Sequence, residues 1–290
     1  MSVRSACVIG VRVVVGVPAA TALACWMTGC TPLVRITPAP VTTSRAVAAV
    51  QRQWLPLRLS WPVSGGDGRP LVLYVTGDGG WRGKDLEAFE RLIEWGYPVV
   101  GVSAPDYLDH LADGATQLGP RQLSEDLVGL AATARDRLHL VATTPVVLVG
   151  VSRGADLVVV AAAQRALRAN LLGVVAVGLT REEEYVHRAR GSRRHAGAGT
   201  DDPAWPVRPY RALERLVVPV SVIQSTRDGY VAAAEARRLM GPDSPSRRLQ
   251  AIDAADHSFS DAREALYMAM RQSLAWISSH AVSNSDQVDP

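Results

Sequence analysis

From Leu71 onward, short uninterrupted apolar runs alternate with segments in which apolar residues return every three or four positions. The runs 71–76 (LVLYVT), 98–103 (PVVGVS), 145–150 (PVVLVG), 173–179 (GVVAVGL), 219–225 (PVSVIQS) and 247–253 (RRLQAID) are too short for helices. Most are continuous and β-branched, as strands covered on both faces must be. Between them, Leu86, Phe89, Leu92 and Ile93 share one helical face, as do Leu123, Leu127, Leu130, Ala134 and Leu138, and Leu266, Met270, Leu274 and Ile277 do so in a last helix. Strand alternating with helix over this length predicts an α/β domain with a mostly parallel sheet and helices on both faces. Ligands of such sheets bind at the carboxyl ends of the strands.

The pattern changes at two places. Upstream, Leu55, Leu57, Leu59, Trp61 and Val63 alternate with polar or proline positions, which predicts an edge strand, since Pro56 and Pro62 cannot donate to a ladder. The Pro-, Thr- and Ala-rich stretch before it predicts a flexible tether over 31–54, leaving 55–290 as the folded domain. Downstream, the polar, glycine-bearing stretch around 180–210 interrupts the alternation and predicts a cap-like insertion or active-site loop.

The first thirty residues do not belong to this pattern. A basic start, an apolar run from Val13 to Ala24 and small residues beyond it predict a secretory signal. Met27-Thr28-Gly29-Cys30 favours a lipoprotein signal with Cys30 lipidated; cleavage after Ala24 and an uncleaved anchor are the alternatives. All three cysteines, Cys7, Cys25 and Cys30, fall here, so the rest of the chain has neither a disulfide nor a cysteine metal site. The formal charge of +3, two of it from Arg4 and Arg12, gives no case for nucleic acid. The expected place is outside the cytoplasm, in the periplasm and held to the membrane by lipid.

One polar knot interrupts the apolar stretch VVLVGVSRGADLVVV. Ser152 stands in Gly150-Val151-Ser152-Arg153-Gly154, a G-x-S-x-G where a strand becomes a helix. A tight strand-to-helix turn needs small flanking residues and lifts the serine hydroxyl out at the sheet edge, above a helix N-terminus suited to an oxyanion. A serine becomes nucleophilic only when a base takes its proton. Of six histidines, His257 alone lies between the last strand and the last helix; His110, His139, His187, His195 and His280 occupy a loop, a helix end, the cap-like segment or the tail. Asp228, directly after the strand 219–225, is the expected acid, with Glu182 as its alternative. A second oxyanion donor is expected from the backbone of Asp78 or Gly79 in the loop Thr76-Gly77-Asp78-Gly79-Gly80-Trp81, beside that of Arg153. No metal and no organic cofactor is implied.

Three stretches together resemble the VirJ/AcvB family of exported bacterial proteins, a branch of the α/β-hydrolases. They are TGDGGWRGKDLEAFERLIEWGYPVVGVSAPDYL (76–108), GVSRGADL (150–157) and the HSF beginning at His257. The resemblance implies the α/β-hydrolase fold and a hydrolase with Ser152, Asp228 and His257 as its triad, acting on membrane phospholipid. A family activity is release of the aminoacyl group from lysyl-phosphatidylglycerol. The chain departs from the family at Arg153, where an aromatic is usual, and at Asp256, where a second histidine is usual. Trp81, in the shared GDGGW, and Glu182, Glu183 and Glu184 are expected to contact substrate, the glutamates by meeting a cationic aminoacyl group; a solvated acidic turn is the other reading of them.

The expectation is therefore an exported serine ester hydrolase acting on aminoacyl-phosphatidylglycerol. The alternatives are a carboxylesterase or lipase for another ester, and a non-catalytic binding or secretion-accessory protein on the same scaffold.

Overall fold

The computed structural model describes residues 41–50, 53–62, 68–112, 119–184 and 206–285, all within the compact unit Pro38–Pro290. The proposed signal, Cys30, His187, His195 and most of the cap-like segment lie outside the described residues. No helix among the described residues is long and apolar enough to cross a membrane.

Eight strands form one sheet in the order β1-β2-β4-β3-β5-β6-β9-β10. The six apolar runs become β3 (Leu71–Val75), β4 (Val99–Val102), β5 (Val146–Val151), β6 (Leu171–Val177), β9 (Val220–Ser225) and β10 (Arg247–Ile252), all parallel to one another. Their continuous apolar character has a simple cause: alternate residues feed two separate cores. Leu73, Val100 and Leu148 pack with α2 (Ala104–Ala112), α3 (Pro120–Arg137) and α4 (Arg153–Ala162) on one face. Val72, Tyr74, Val147 and Val149 pack with α1 (Lys84–Glu94) and α7 (Arg263–Ser285) on the other. Each buried Leu or Val contributes roughly 1.5–3 kcal/mol. The chain leaves β3 towards β4 on one side and returns to β5 on the other, so a crevice opens between the carboxyl ends of β3 and β5.

Two expectations at the N-terminal side are corrected. Residues 41–50, read as tether, form β1 (Val41–Val50), the edge strand; β2 (Gln53–Pro62), read as the edge, is interior, antiparallel to both β1 and β4. The two prolines survive there because β4 pairs only with Leu57–Ser60, and Pro56 and Pro62 lie outside that doubly bonded stretch. β1 was hidden because its buried face is made largely of small residues: Ala48 and Val50 are covered while Val47 and Ala49 are exposed. Within 180–210, the described ends form a small ladder of β7 (Glu183–Glu184) and β8 (Pro206–Val207), followed by α5 (Pro209–Leu213). The remaining helix, α6 (Ala233–Met240), joins β9 to β10.

If β1 belongs to the fold, a chain beginning at residue 51 should melt more than about 5 °C below one beginning at residue 38, because it loses a full ladder and uncovers Leu55 and Leu57. Equal melting temperatures by circular dichroism would return β1 to the tether.

Candidate active site

β5 ends at Val151 and α4 begins at Arg153, so the whole reversal is made at Ser152, with φ 53° and ψ −122°. That region costs a non-glycine residue of order 1–3 kcal/mol. Packing holds it there: the Ser152 N–H donates to the Val177 carbonyl of β6 at 2.7 Å. The glycines of the motif are required by close approach. A Cβ on Gly154 would lie 2.3 Å from the Val75 carbonyl oxygen, and one on Gly150 would lie 2.2 Å from the Gly154 carbonyl oxygen. Only bare backbone lets α4 settle directly onto β3 and β5.

The expected serine, histidine and aspartate are brought together. His257 Nε2 lies 2.8 Å from Ser152 Oγ, and Nδ1 lies 2.7 Å from Asp228 Oδ2. The Asp228 side chain is fully buried and the His257 side chain is 15% exposed, so the acid end of the relay is shielded from water. The Asp228 carboxylate is saturated with donors: Tyr230 N–H (2.8 Å) and Val231 N–H (3.3 Å) on Oδ1, and Gln224 Nε2 (2.9 Å) together with His257 on Oδ2. Such saturation pays the desolvation of a buried carboxylate. Glu182 is elsewhere, in an ion pair with Arg208 at 2.9 Å, which disposes of it as the alternative acid.

The histidine loop is held from several sides. Ser225 Oγ donates to the Ala254 carbonyl at 2.9 Å, Phe259 is completely buried, and Asp256 accepts from both Ser260 N–H, at 3.1 Å, and Ser260 Oγ. Asp256 therefore shapes the turn behind His257 and does not enter the relay. Beneath the ring, Gly178 is required, since a Cβ there would lie 2.8 Å from His257 Cε1.

The loop after β3 reaches the serine as expected. A Cβ on Gly77 would lie 3.3 Å from Ser152 Cβ, and the Gly80 N–H closes the turn on the Gly77 carbonyl at 3.1 Å. Asp78 and Gly79 follow Gly77 directly, and the Asp78 carboxylate bonds the Arg153 guanidinium across the crevice. Arg153 thus ties the two proposed oxyanion segments together, in place of an aromatic. Trp81, expected to contact substrate, is half-buried. It packs on Phe89 (5.2 Å between ring centroids) and Tyr74 (6.1 Å) with Arg58 stacked on it, because the loop folds its indole down onto the sheet.

Four residues were missed in the sequence. Asp85, at the start of α1 and only 3% exposed, accepts from the Gly77 N–H (3.0 Å) and the Tyr74 hydroxyl (2.9 Å), so a buried carboxylate fixes the loop lying on Ser152. Burial raises its pKa against the lowering effect of these bonds, and burial beside Asp85 raises Tyr74 well above its ordinary value. Gln224 holds Asp228 while accepting from the Leu179 N–H at 3.1 Å. Tyr230, 71% exposed, stands edge-on to His257 at 4.8 Å between centroids and walls the open side of the site. Lys84, the only lysine in the chain, lies 3.4 Å from Ser258 Oγ next to the catalytic histidine candidate, and burial lowers its pKa. A lone aspartate at a helix start reads as a cap, and a glutamine in a strand reads as solvent-facing; neither carries a sequence signal of its role.

Residues 70–210 match the model of the VirJ family, described as a bacterial virulence protein, which bears out the resemblance read from the motifs. A comparison with curated proteins finds no match. Among solved structures, dienelactone hydrolase from Anabaena variabilis is similar with a TM-score of 0.54 and 20% identity, covering 82% of this chain and 98% of that one. An α/β serine hydrolase without lid from Xanthomonas campestris has a TM-score of 0.54 and 16% identity, covering 82% and 97%. An esterase from Pyrococcus furiosus has a TM-score of 0.56 and 15% identity, covering 83% and 97%. At these identities the likeness establishes the fold, which is that of the α/β-hydrolases.

The Asp85 brace makes a prediction with a sign. Asp85→Leu orphans the Gly77 N–H and should cost about 1–3 kcal/mol, whereas Asp85→Asn keeps an acceptor and should cost less. A raised folded-state pKa means that the native state holds its proton more tightly than the unfolded chain. The stability this linkage provides is present below the ordinary carboxylate pKa and is lost as pH rises through the folded value. Urea unfolding of wild type and Asp85→Asn should therefore show the wild type's relative stability falling from acid towards neutral pH; a flat difference would contradict the raised pKa.

Proposed function

We propose that this chain is an exported serine ester hydrolase whose preferred substrate is an aminoacyl-phosphatidylglycerol. The observation that carries the reading is the continuous relay from Ser152 Oγ through His257 to a buried, fully hydrogen-bonded Asp228. Three side chains from three separate loops meet at hydrogen-bonding distance, the serine among them held at a φ of 53°.

The proposed chemistry follows from the geometry. Ser152 Oγ attacks the ester carbonyl carbon while His257 Nε2 takes its proton, and Asp228 stabilises the resulting imidazolium and fixes its orientation. The oxyanion is met by the backbone N–H of Arg153 at the start of α4 and that of Asp78 or Gly79 in the loop braced by Asp85. His257 then passes the proton to the departing glycerol oxygen, leaving phosphatidylglycerol and an aminoacyl ester on Ser152. Water, deprotonated by His257, cleaves that ester to release the amino acid and restore the serine. The water supplies the hydroxyl and the proton that the products gain, so the reaction balances without a cofactor.

The lipid substrate is what the resemblance to the VirJ/AcvB family implies, and the lipoprotein-type sequence ending at Cys30 is consistent with it. Recognition of a cationic aminoacyl group would fall to Glu183 and Glu184, since Glu182 is already offset by Arg208. Small-ester hydrolysis is the second reading, favoured by the similarity in fold to the Pyrococcus furiosus esterase.

Wild type and Ser152→Ala, each incubated with purified lysyl-phosphatidylglycerol, separate these readings. Amino-acid release should be lost by a factor of roughly 10³ or more in Ser152→Ala. A wild-type chain that reacts with a fluorophosphonate at Ser152 yet releases no amino acid would keep the hydrolase and exclude the lipid. A folded chain that the probe does not label would exclude the hydrolase. Mass spectrometry of the membrane-extracted protein should find acyl chains on Cys30, and an N-terminus at Cys25 without lipid would exclude the lipoprotein.

A further inference from the structure

The β1–β2 hairpin is longer than the sheet it joins. β2 parts from β4 at the pair Leu57–Val102, but the hairpin strands stay paired as far as Val50 and Gln53. Val102, Val75 and Gly150 stand in one row across the sheet, just short of Ser152. The residues beyond Leu57 therefore overhang the edge that carries Ser152, by about 13 Å at the usual rise of a strand.

The two faces of this overhang differ. One face is built into the core: Ala48, Val50 and Leu55 are buried in the cluster that also holds α2 and α3. The other face presents two cross-strand pairs, Ala49–Trp54 and Val47–Pro56, all four residues exposed, Trp54 by 66% and Val47 by 48%. The next pair inward on that face is Arg45–Arg58. Like charges directly opposite one another weaken a ladder, and neither strand carries a carboxylate to offset them. From Ala49–Trp54 inward the described pairs of this face read apolar, apolar, doubly cationic, and the connection beyond them is Gln51-Arg52. The hairpin that carries it projects past the same sheet edge as the serine.

We infer that this face docks on the surface of an anionic phospholipid bilayer. Indole and small apolar side chains near the end of the hairpin suit the interfacial layer, and exposed Arg45 one step deeper stands where lipid phosphates would be met, while Arg58 opposite it is half-buried and stacks on Trp81. Four apolar side chains fall well short of the roughly 800 Å² per partner that a stable protein interface needs. A reversible contact with a charged lipid surface needs no such area. Docking in this pose turns the open edge of the sheet, and with it Ser152, towards the lipid. That consequence rests on the proposed hydrolysis of a lipid ester; the docking itself does not.

The test uses the full chain reconstituted with vesicles of phosphatidylglycerol and phosphatidylcholine carrying brominated acyl chains. Tryptophan quenching should be clearly smaller in Trp54→Phe than in wild type, and Arg45→Glu should weaken the quenching and its dependence on phosphatidylglycerol. Trp54→Asp, exposed and outside the catalytic machinery, should lower turnover of a vesicle-borne ester about tenfold and leave a soluble acyl ester within twofold of wild type. Identical quenching of wild type and Trp54→Phe would overturn the inference. So would dimers by sedimentation that vanish in Trp54→Asp without any quenching, which would assign the face to a second copy. Failure of wild type to hydrolyse any ester would remove the proposed activity, while the quenching result would still decide the docking.

Discussion

The site depends on how closely α4 lies upon β3. With Gly154 resting on the Val75 and Thr76 carbonyls, the helix begins at the sheet edge and not a side chain's width above it. Ser152 has no room to turn except through a left-handed φ, and its hydroxyl is thrust into the crevice that the strand order opens. The same contact sets the start of α4 beside the loop after β3. Donors for a developing negative charge are thereby in place before substrate arrives, which is the condition under which they are most effective.

Around that contact the molecule places polar groups in depth. Asp228 is held by four donors, Asp156 holds Thr180 through both its N–H (3.1 Å) and its hydroxyl (2.6 Å), and Gln224 ties Leu179 to the strand beside it. These bonds fasten the loops after β6 and β9, which no regular ladder reaches. In a low-dielectric interior each unpaired group would be costly, so such a network has few alternative arrangements. Rigidity at the serine and histidine is thus a product of residues that never touch the crevice.

The parallel strands, Ser152, His257 and Asp228 were legible in the sequence because each carries a local mark. Strands buried on both faces are apolar without a break, and the three polar residues follow strand ends in chain order. What was illegible has the opposite character. β1 buries mainly small side chains, so its period is faint, and β2's prolines imitate an edge although they merely bracket its doubly paired centre. Asp85 and Gln224 gain their meaning from partners 8 and 4 residues away that only the folded loops bring into contact. The packing of Trp81 was illegible for a related reason: an aromatic beside a glycine-rich loop reads equally as a binding surface or as a wedge between loop and sheet, and its contacts with Tyr74 and Phe89 form only in the fold.

Lys84 gives the chain an unusual chemical asymmetry. Every other cationic side chain is an arginine, whose guanidinium does not deprotonate near neutral pH, so the molecule has a single side-chain amine. Burial lowers that amine's pKa and enlarges its nucleophilic fraction. It sits against the residue that follows His257. Amine-selective reagents will therefore find one side-chain amine on this protein, at the rim of the relay, where a fluorophore or crosslinker can report on the histidine loop without any engineered handle.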